Sequence, residues 1–168
     1  GTVASNGRTT CTISRNGDLV SKMYLQSTTP ANEPVNGSIS ELSSVELEMG
    51  GQRIDKQTGK WMEVWAELTE NKSGLAKGTN FQQMSGYGYA LDASTAMEFN
   101  NTAGANANVV AHQDMDSCVV WVPLQFWFCR NPGLALPLIA LQYHEVKTIF
   151  NFGTVGYTAH KLWVDYIY

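Results

Sequence analysis

Few residues of this chain have the types and spacing that chemistry requires. Its three histidines, His112, His144 and His160, are scattered, and none falls in an HxH or HExxH spacing that would place two imidazoles on one metal. His144 and Glu145 are neighbours on an expected strand, which points their side chains to opposite faces. Glu63 and Glu67 stand one helical turn apart and could share acid–base work. Beside Trp61 and Trp65, however, they read as the wet face of an amphipathic helix. Asp114 and Asp116 form half of a calcium loop without the rest of its frame. No Gly-x-Ser-x-Gly elbow, phosphate-binding loop or dinucleotide fingerprint occurs. No catalytic residue, metal site or cofactor is expected, and the chain reads as a non-enzyme.

Other reactive types are equally sparse. Cys11, Cys118 and Cys129 are odd in number and widely spaced, without a CxxC pair, so they read as buried apolar thiols kept in a reducing compartment. Asn36, Asn71 and Asn100 open three glycosylation sequons in expected loops and are candidate acceptors. The Asn/Ser-rich background and the free thiols argue against their use. Trp61, Trp65, Trp121, Trp127 and Trp163 could form a sugar-stacking platform, yet four of the five sit within apolar segments. Core packing is the expected role.

The elements that must carry these residues are short strands and turns. Residues 9–14 and 19–26 alternate and flank Asn16-Gly17, which predicts a hairpin. Residues 44–49 alternate, giving one buried and one wet face, and Gly50-Gly51 breaks the run. A helix is expected over 59–69, with Trp61, Val64, Trp65 and Leu68 at i, i+3, i+4 and i+7 as its buried stripe. Residues 74–116 are loose and polar, as in a surface loop that carries recognition or a disordered tip. Further strands are expected at 117–123, 138–147, 148–152 and 161–168. In residues 122–147, VPLQFWFCRNPGLALPLIALQYHEVK, two apolar segments flank Arg130-Asn131-Pro132-Gly133, which predicts a buried strand pair around a turn. Around eight short strands, one helix and long loops point to a jelly-roll β-sandwich.

Composition bounds the function. A chain of 168 residues can bury the core of one domain. Only 15% of residues are charged and the net charge is −4, so no basic patch is available for phosphate contacts. No apolar run reaches the ~18 residues that a membrane-spanning helix needs, and no signal peptide opens the chain. With a start at Gly1 and an end at Tyr168 inside an expected strand, the chain is expected to be a piece of a longer one.

Residues 122–147 resemble the signature of the major capsid proteins of large nucleocytoplasmic DNA viruses, the chlorovirus and iridovirus type. Gly1-Thr-Val-Ala with Cys11-Thr-Ile-Ser-Arg-Asn-Gly-Asp-Leu-Val resembles that family's first hairpin. Gly50-Gly51-Gln-Arg-Ile-Asp-Lys with Gly59-Lys-Trp-Met-Glu-Val-Trp-Ala-Glu-Leu-Thr resembles its strand and following helix. His160-Lys161-Leu-Trp-Val-Asp-Tyr-Ile-Tyr resembles the strand that closes the first jelly roll. The family's N-terminal arm and second jelly roll lie outside the match.

Members of that family fold as two consecutive jelly rolls and form trimers of pseudo-hexagonal outline, which tile an icosahedral shell around an internal membrane. The resemblance therefore implies an all-β fold, an eight-stranded jelly-roll sandwich with one short helix and long loops. Residues 1–168 would be a single domain, the first half of a double jelly roll. It implies a structural capsid protein of the virion, assembled in the host cytoplasm. Its partners would be further copies in a homotrimer, neighbouring capsomers and minor capsid proteins, with no direct contact to nucleic acid. The alternatives are a minor capsid protein of the same fold, or a carbohydrate-binding jelly roll in which Trp61, Trp65 and Tyr87 would be exposed on one face.

Overall fold

The computed structural model describes residues 7–30, 37–70, 79–86, 119–154 and 156–168. The candidate acceptors Asn36, Asn71 and Asn100 lie outside these residues, as do His112, Asp114, Asp116, Cys118 and Tyr87.

Two antiparallel sheets face each other across one apolar core. The first has the order β1-β7-β3-β4, from Arg8–Thr12, Val146–Phe152, Leu42–Met49 and Gln52–Gln57. The second is built around β2 (Leu19–Thr28), which pairs with β5 (Val119–Pro123), the two-residue β6 (Leu136–Pro137) and β8 (Thr158–Ile167). Three helices close the flank: α1 (Gly59–Thr69), α2 (Asn80–Ser85) and α3 (Trp127–Arg130). The sandwich encloses Met23 and Leu25 of β2, Val45 and Leu47 of β3, and Phe150 of β7, joined by Phe81, Phe126 and Phe128. Each such side chain contributes roughly 1.5–3 kcal/mol by leaving water.

Three sequence expectations are overturned. The first hairpin does not form: β1 pairs with β7 through Thr10↔Ile149, whereas β2 belongs to the opposite sheet. Residues 13–18 carry the chain between the sheets, with Ile13 buried and its N–H donated to the Val146 carbonyl at 2.9 Å. A two-residue turn cannot span that distance, so Asn16-Gly17 serves as a corner between layers.

The strand pair around residues 130–133 is absent too. β5 ends at Pro123; the chain then makes the one-turn α3 and a 3-10 turn at Pro132–Leu134, and β7 begins only at Val146. The turn itself is as expected, with Asn131 Oδ1 accepting the Gly133 N–H at 2.9 Å. Pro123, Pro132 and Pro137 supply no N–H, which explains why this apolar stretch cannot sustain a ladder. Phe126 and Phe128 are nevertheless fully buried. The burial there is as the sequence predicts; the backbone form is not.

The third correction concerns β3. Ser44 and Glu46, on the face expected to be wet, are buried along with Val45 and Leu47, so that face is covered over residues 44–47. It lies between β7 and β4, and Glu46 is held by Lys56 at 3.3 Å and Arg53 at 3.9 Å from β4. The β3–β4 hairpin turns at Gly50 and Gly51, whose φ angles of 57° and 82° lie in the left-handed region that glycine adopts without strain.

Candidate functional site

Helix α1 occupies the expected residues but presents the opposite face. Thr58 caps it by accepting the Trp61 N–H at 3.1 Å. Its buried positions are Gly59, Met62, Glu63 and Ala66, while Val64 and Leu68 face out and Leu68 is 78% exposed. The sequence carries two stripes with the same i, i+3, i+4, i+7 spacing, and the structure uses the smaller one. The cause is close approach: a Cβ on Gly59 would sit 1.4 Å from the Ser38 carbonyl oxygen. Bulky indoles cannot enter so narrow a gap.

Glu63 is therefore not on a wet face. Its carboxylate accepts from the Ser38 hydroxyl and, at 3.4 Å, from the Ser85 hydroxyl. It ties α1 to the π-helical turn Gly37–Glu41 and to α2. Glu67 stays exposed and accepts from Gln82 Nε2 at 3.3 Å. The two carboxylates serve separate contacts, which removes the acid–base pair. Helix α2 was missed at the sequence level, although Thr79 and Gln82 form a reciprocal capping box with bonds of 3.2 and 2.9 Å. The Thr-x-x-Gln spacing was the available signal.

A second buried cluster joins residues far apart in the chain. His160 Nδ1 lies 2.8 Å from Glu41 Oε1 and 3.0 Å from Ser27 Oγ, and the Ser27 hydroxyl donates to the same carboxylate oxygen. The Tyr157 carbonyl can only accept, so His160 Nε2, at 3.1 Å from it, carries a proton. A serine, a histidine and a glutamate together suggest nucleophilic catalysis, but the geometry refuses it. A triad needs the serine and the acid on different ring nitrogens, and here both meet Nδ1. Ser27 and Glu41 are 0% and 1% exposed, so no substrate can reach them. The cluster is a clasp that fixes β8 to β2 and the π-helical turn. His144 and Glu145 precede β7 rather than lying on a strand; Glu145 pairs with Lys147 at 2.8 Å and accepts from Thr12 at 3.0 Å.

The tryptophans correct the core expectation. Trp61 and Trp163 are 37% and 49% exposed, and Trp65, Trp121 and Trp127 are half-buried. Phenylalanines fill the centre instead. Trp121 and Trp163 pack with ring centres 5.8 Å apart on the outer face of the second sheet, where the Trp163 indole N–H donates to Gln26 Oε1 at 2.7 Å. Trp61 and Trp65 stack at 5.6 Å, and the Arg130 guanidinium lies 4.6 Å from the Trp65 centre and 6.0 Å from that of Trp61. That cation covers the surface a sugar ring would need, which counts against the carbohydrate platform.

The thiols are partly buried rather than deep in the core. Cys11 and Cys129 are both free and half-buried. Burial raises the Cys11 thiol above its ordinary value and pushes that of Cys129 up to about 12. Both are poor nucleophiles. Among the described residues no group of three His, Cys, Asp or Glu side chains could hold a metal ion, and no helix is long and apolar enough to cross a membrane.

What remains exposed is surface for contact. Leu134, Ile139 and Tyr143 project from the segment before β7, with Tyr143 87% exposed. Such a surface suits association with other protein. Residues 1–160 match the family model described as major capsid protein N-terminus. The chain is 41% identical to the major capsid protein of Pyramimonas orientalis virus, over 96% of this chain and 40% of that protein. It is 45% identical to the major capsid protein of Phaeocystis pouchetii virus, over 83% of this chain and 30% of that protein. Its fold matches the crystal structure of PBCV-1 VP54 fitted into a cryo-EM reconstruction of the virophage Sputnik, with a TM-score of 0.72 at 28% identity, covering 99% of this chain and 39% of that one.

Proposed function

Because the chain belongs to the major capsid protein family, through that family's N-terminal module, we propose that it is the first of two consecutive jelly rolls in the shell-forming protein of a large DNA virus. The observation that carries this reading is the sequence match across residues 1–160 together with a jelly-roll fold shared over 99% of the chain. The chain spans only 40% and 30% of the two viral relatives described above, which leaves room in such a protein for a second jelly roll.

Three copies of a two-barrel subunit present six barrels in a ring, which gives a trimer its pseudo-hexagonal outline and lets it tile a shell. In this reading the partners are further copies in a homotrimer, neighbouring capsomers and minor capsid proteins, the location is the virion, and assembly takes place in the host cytoplasm around an internal membrane. The role is structural rather than enzymatic. The physical features suit it: a rigid double sheet, inert thiols, buried polar clusters that clamp elements together, and low surface charge compatible with broad contacts between copies.

The test is the particle state of the natural full-length protein, by light scattering and electron microscopy. Trimers, and their arrays in a large icosahedral shell, are the expected result. A stable monomer that never assembles would overturn the reading.

A further inference from the structure

We propose that Arg130, held over the Trp65 ring beside Trp61, is a carboxylate-binding site that receives an acidic side chain from a second copy of this protein. The inference rests on the capsid reading and assigns one contact within it.

Arg130 ends the one-turn α3, and its guanidinium is exposed beside the indole pair. A guanidinium carries five N–H donors in a rigid fork. None of them is bound to a carboxylate of the described residues, whose ion pairs lie elsewhere. Among the described residues it lines two open clefts of about 440 and 360 Å³.

The carboxylates lining those clefts are already committed. Glu70 Oε2 accepts the Phe81 N–H at 3.0 Å, and Asp55 Oδ2 accepts from Gln57 Nε2 at 3.0 Å. Lys22 lines one cleft and Lys56 the other. Lys56 is taken up by Glu46 at 3.3 Å, so among the described residues Arg130 and Lys22 are the cations at these clefts without an ion pair, on a chain of net charge −4.

That contrast identifies the occupant. The site is complementary to the prevailing charge of its own copies, and a shell supplies those copies at high local concentration. Indole contact restrains the guanidinium before binding, so little further ordering is needed to accept a carboxylate through two parallel N–H···O bonds. Arginine beside tryptophan is also the composition at which interface energy concentrates.

The experiment compares the natural full-length protein with its Arg130→Gln and Arg130→Lys variants, following self-association by sedimentation across a salt series, with near-ultraviolet circular dichroism as the check on folding. Arg130→Gln is expected to weaken association about tenfold or more and to flatten its salt dependence. Arg130→Lys keeps the charge but loses the fork, and is expected to fall between. Should Arg130→Gln fail to fold, the position of Arg130→Lys against wild type decides the matter in the same way. Association of the folded variants equal to that of wild type overturns the proposal and leaves the capsid reading intact. Inorganic phosphate that changes tryptophan fluorescence in wild type but not in Arg130→Gln, with association equal in both, overturns it in favour of a solution anion. A wild-type protein that does not self-associate removes both readings.

Discussion

At the scale of single residues, the polar groups that matter are the ones hidden from solvent. Glu41 is enclosed in the interior and leans on His160 and Ser27. Removing one partner leaves a buried carboxylate uncompensated, so His160→Ala is expected to cost about 3–5 kcal/mol in urea unfolding. The double change Glu41→Ala with His160→Ala should cost less than the sum of the two single changes; simple additivity would count against the clasp. Cys129 offers a test by pH. Its thiol ionises at about 12 when folded, against an ordinary value of 9.0. The folded state therefore keeps the proton that the unfolded state releases. This contribution to stability is fully present below pH 9.0 and is lost as pH rises towards about 12. Native Cys129 should be alkylated at least about tenfold more slowly than a free cysteine in mildly alkaline buffer, read by mass spectrometry. Fast labelling would show the thiol to be accessible.

At the scale of elements, helix α1 shows how a correct period can be attached to the wrong face. The spacing located Gly59–Thr69 because a 3.6-residue repeat is a property of the chain alone. Which of two such stripes is buried depends on how near the neighbouring backbone lies, and the gap beside Ser38 admits only the glycine-methionine-alanine side. Met62→Ala should therefore cost about 2–5 kcal/mol by cavity formation. Leu68→Gln should change stability by about 0.5 kcal/mol or less. The reverse order in thermal melts would restore the face expected from sequence. Residues 122–147 carry a related lesson. Leu124, Phe126 and Phe128 were legible as interior, but three prolines and the corner at Asn131 decide that the chain coils between sheets rather than pairing with itself.

At the scale of the whole molecule, β2 is the strand on which the second sheet depends, since β5, β6 and β8 all pair with it. Leu25 lies at its centre and is 2% exposed. Leu25→Ala is expected to cost about 2–5 kcal/mol and to lower stability as one cooperative transition. Ile54→Lys, on the exposed strand β4, should be nearly silent for stability. A Leu25 variant that melted in two separate steps would mean that the sheets fold independently. The proposed assembly belongs to this scale as well: Trp61, Trp163, Tyr143 and Arg130 are exposed, and in that reading they are surface available to a second copy.

The sequence by itself determined the all-β class, the residues of α1, the turns at Gly50-Gly51 and Asn131-Gly133, and the family resemblance that the comparisons bear out. These follow from local conformational preference and from strings of residues, which a chain carries wherever it folds. Only the tertiary structure decided that β1 and β2 lie in opposite sheets, that Glu63 is buried while Trp61 is exposed, and that Ser27, Glu41 and His160 meet. Those outcomes depend on which surfaces approach each other in the folded chain, from 22 residues apart for Ser85 and Glu63 to 133 for Ser27 and His160, and neither periodicity nor spacing encodes that approach.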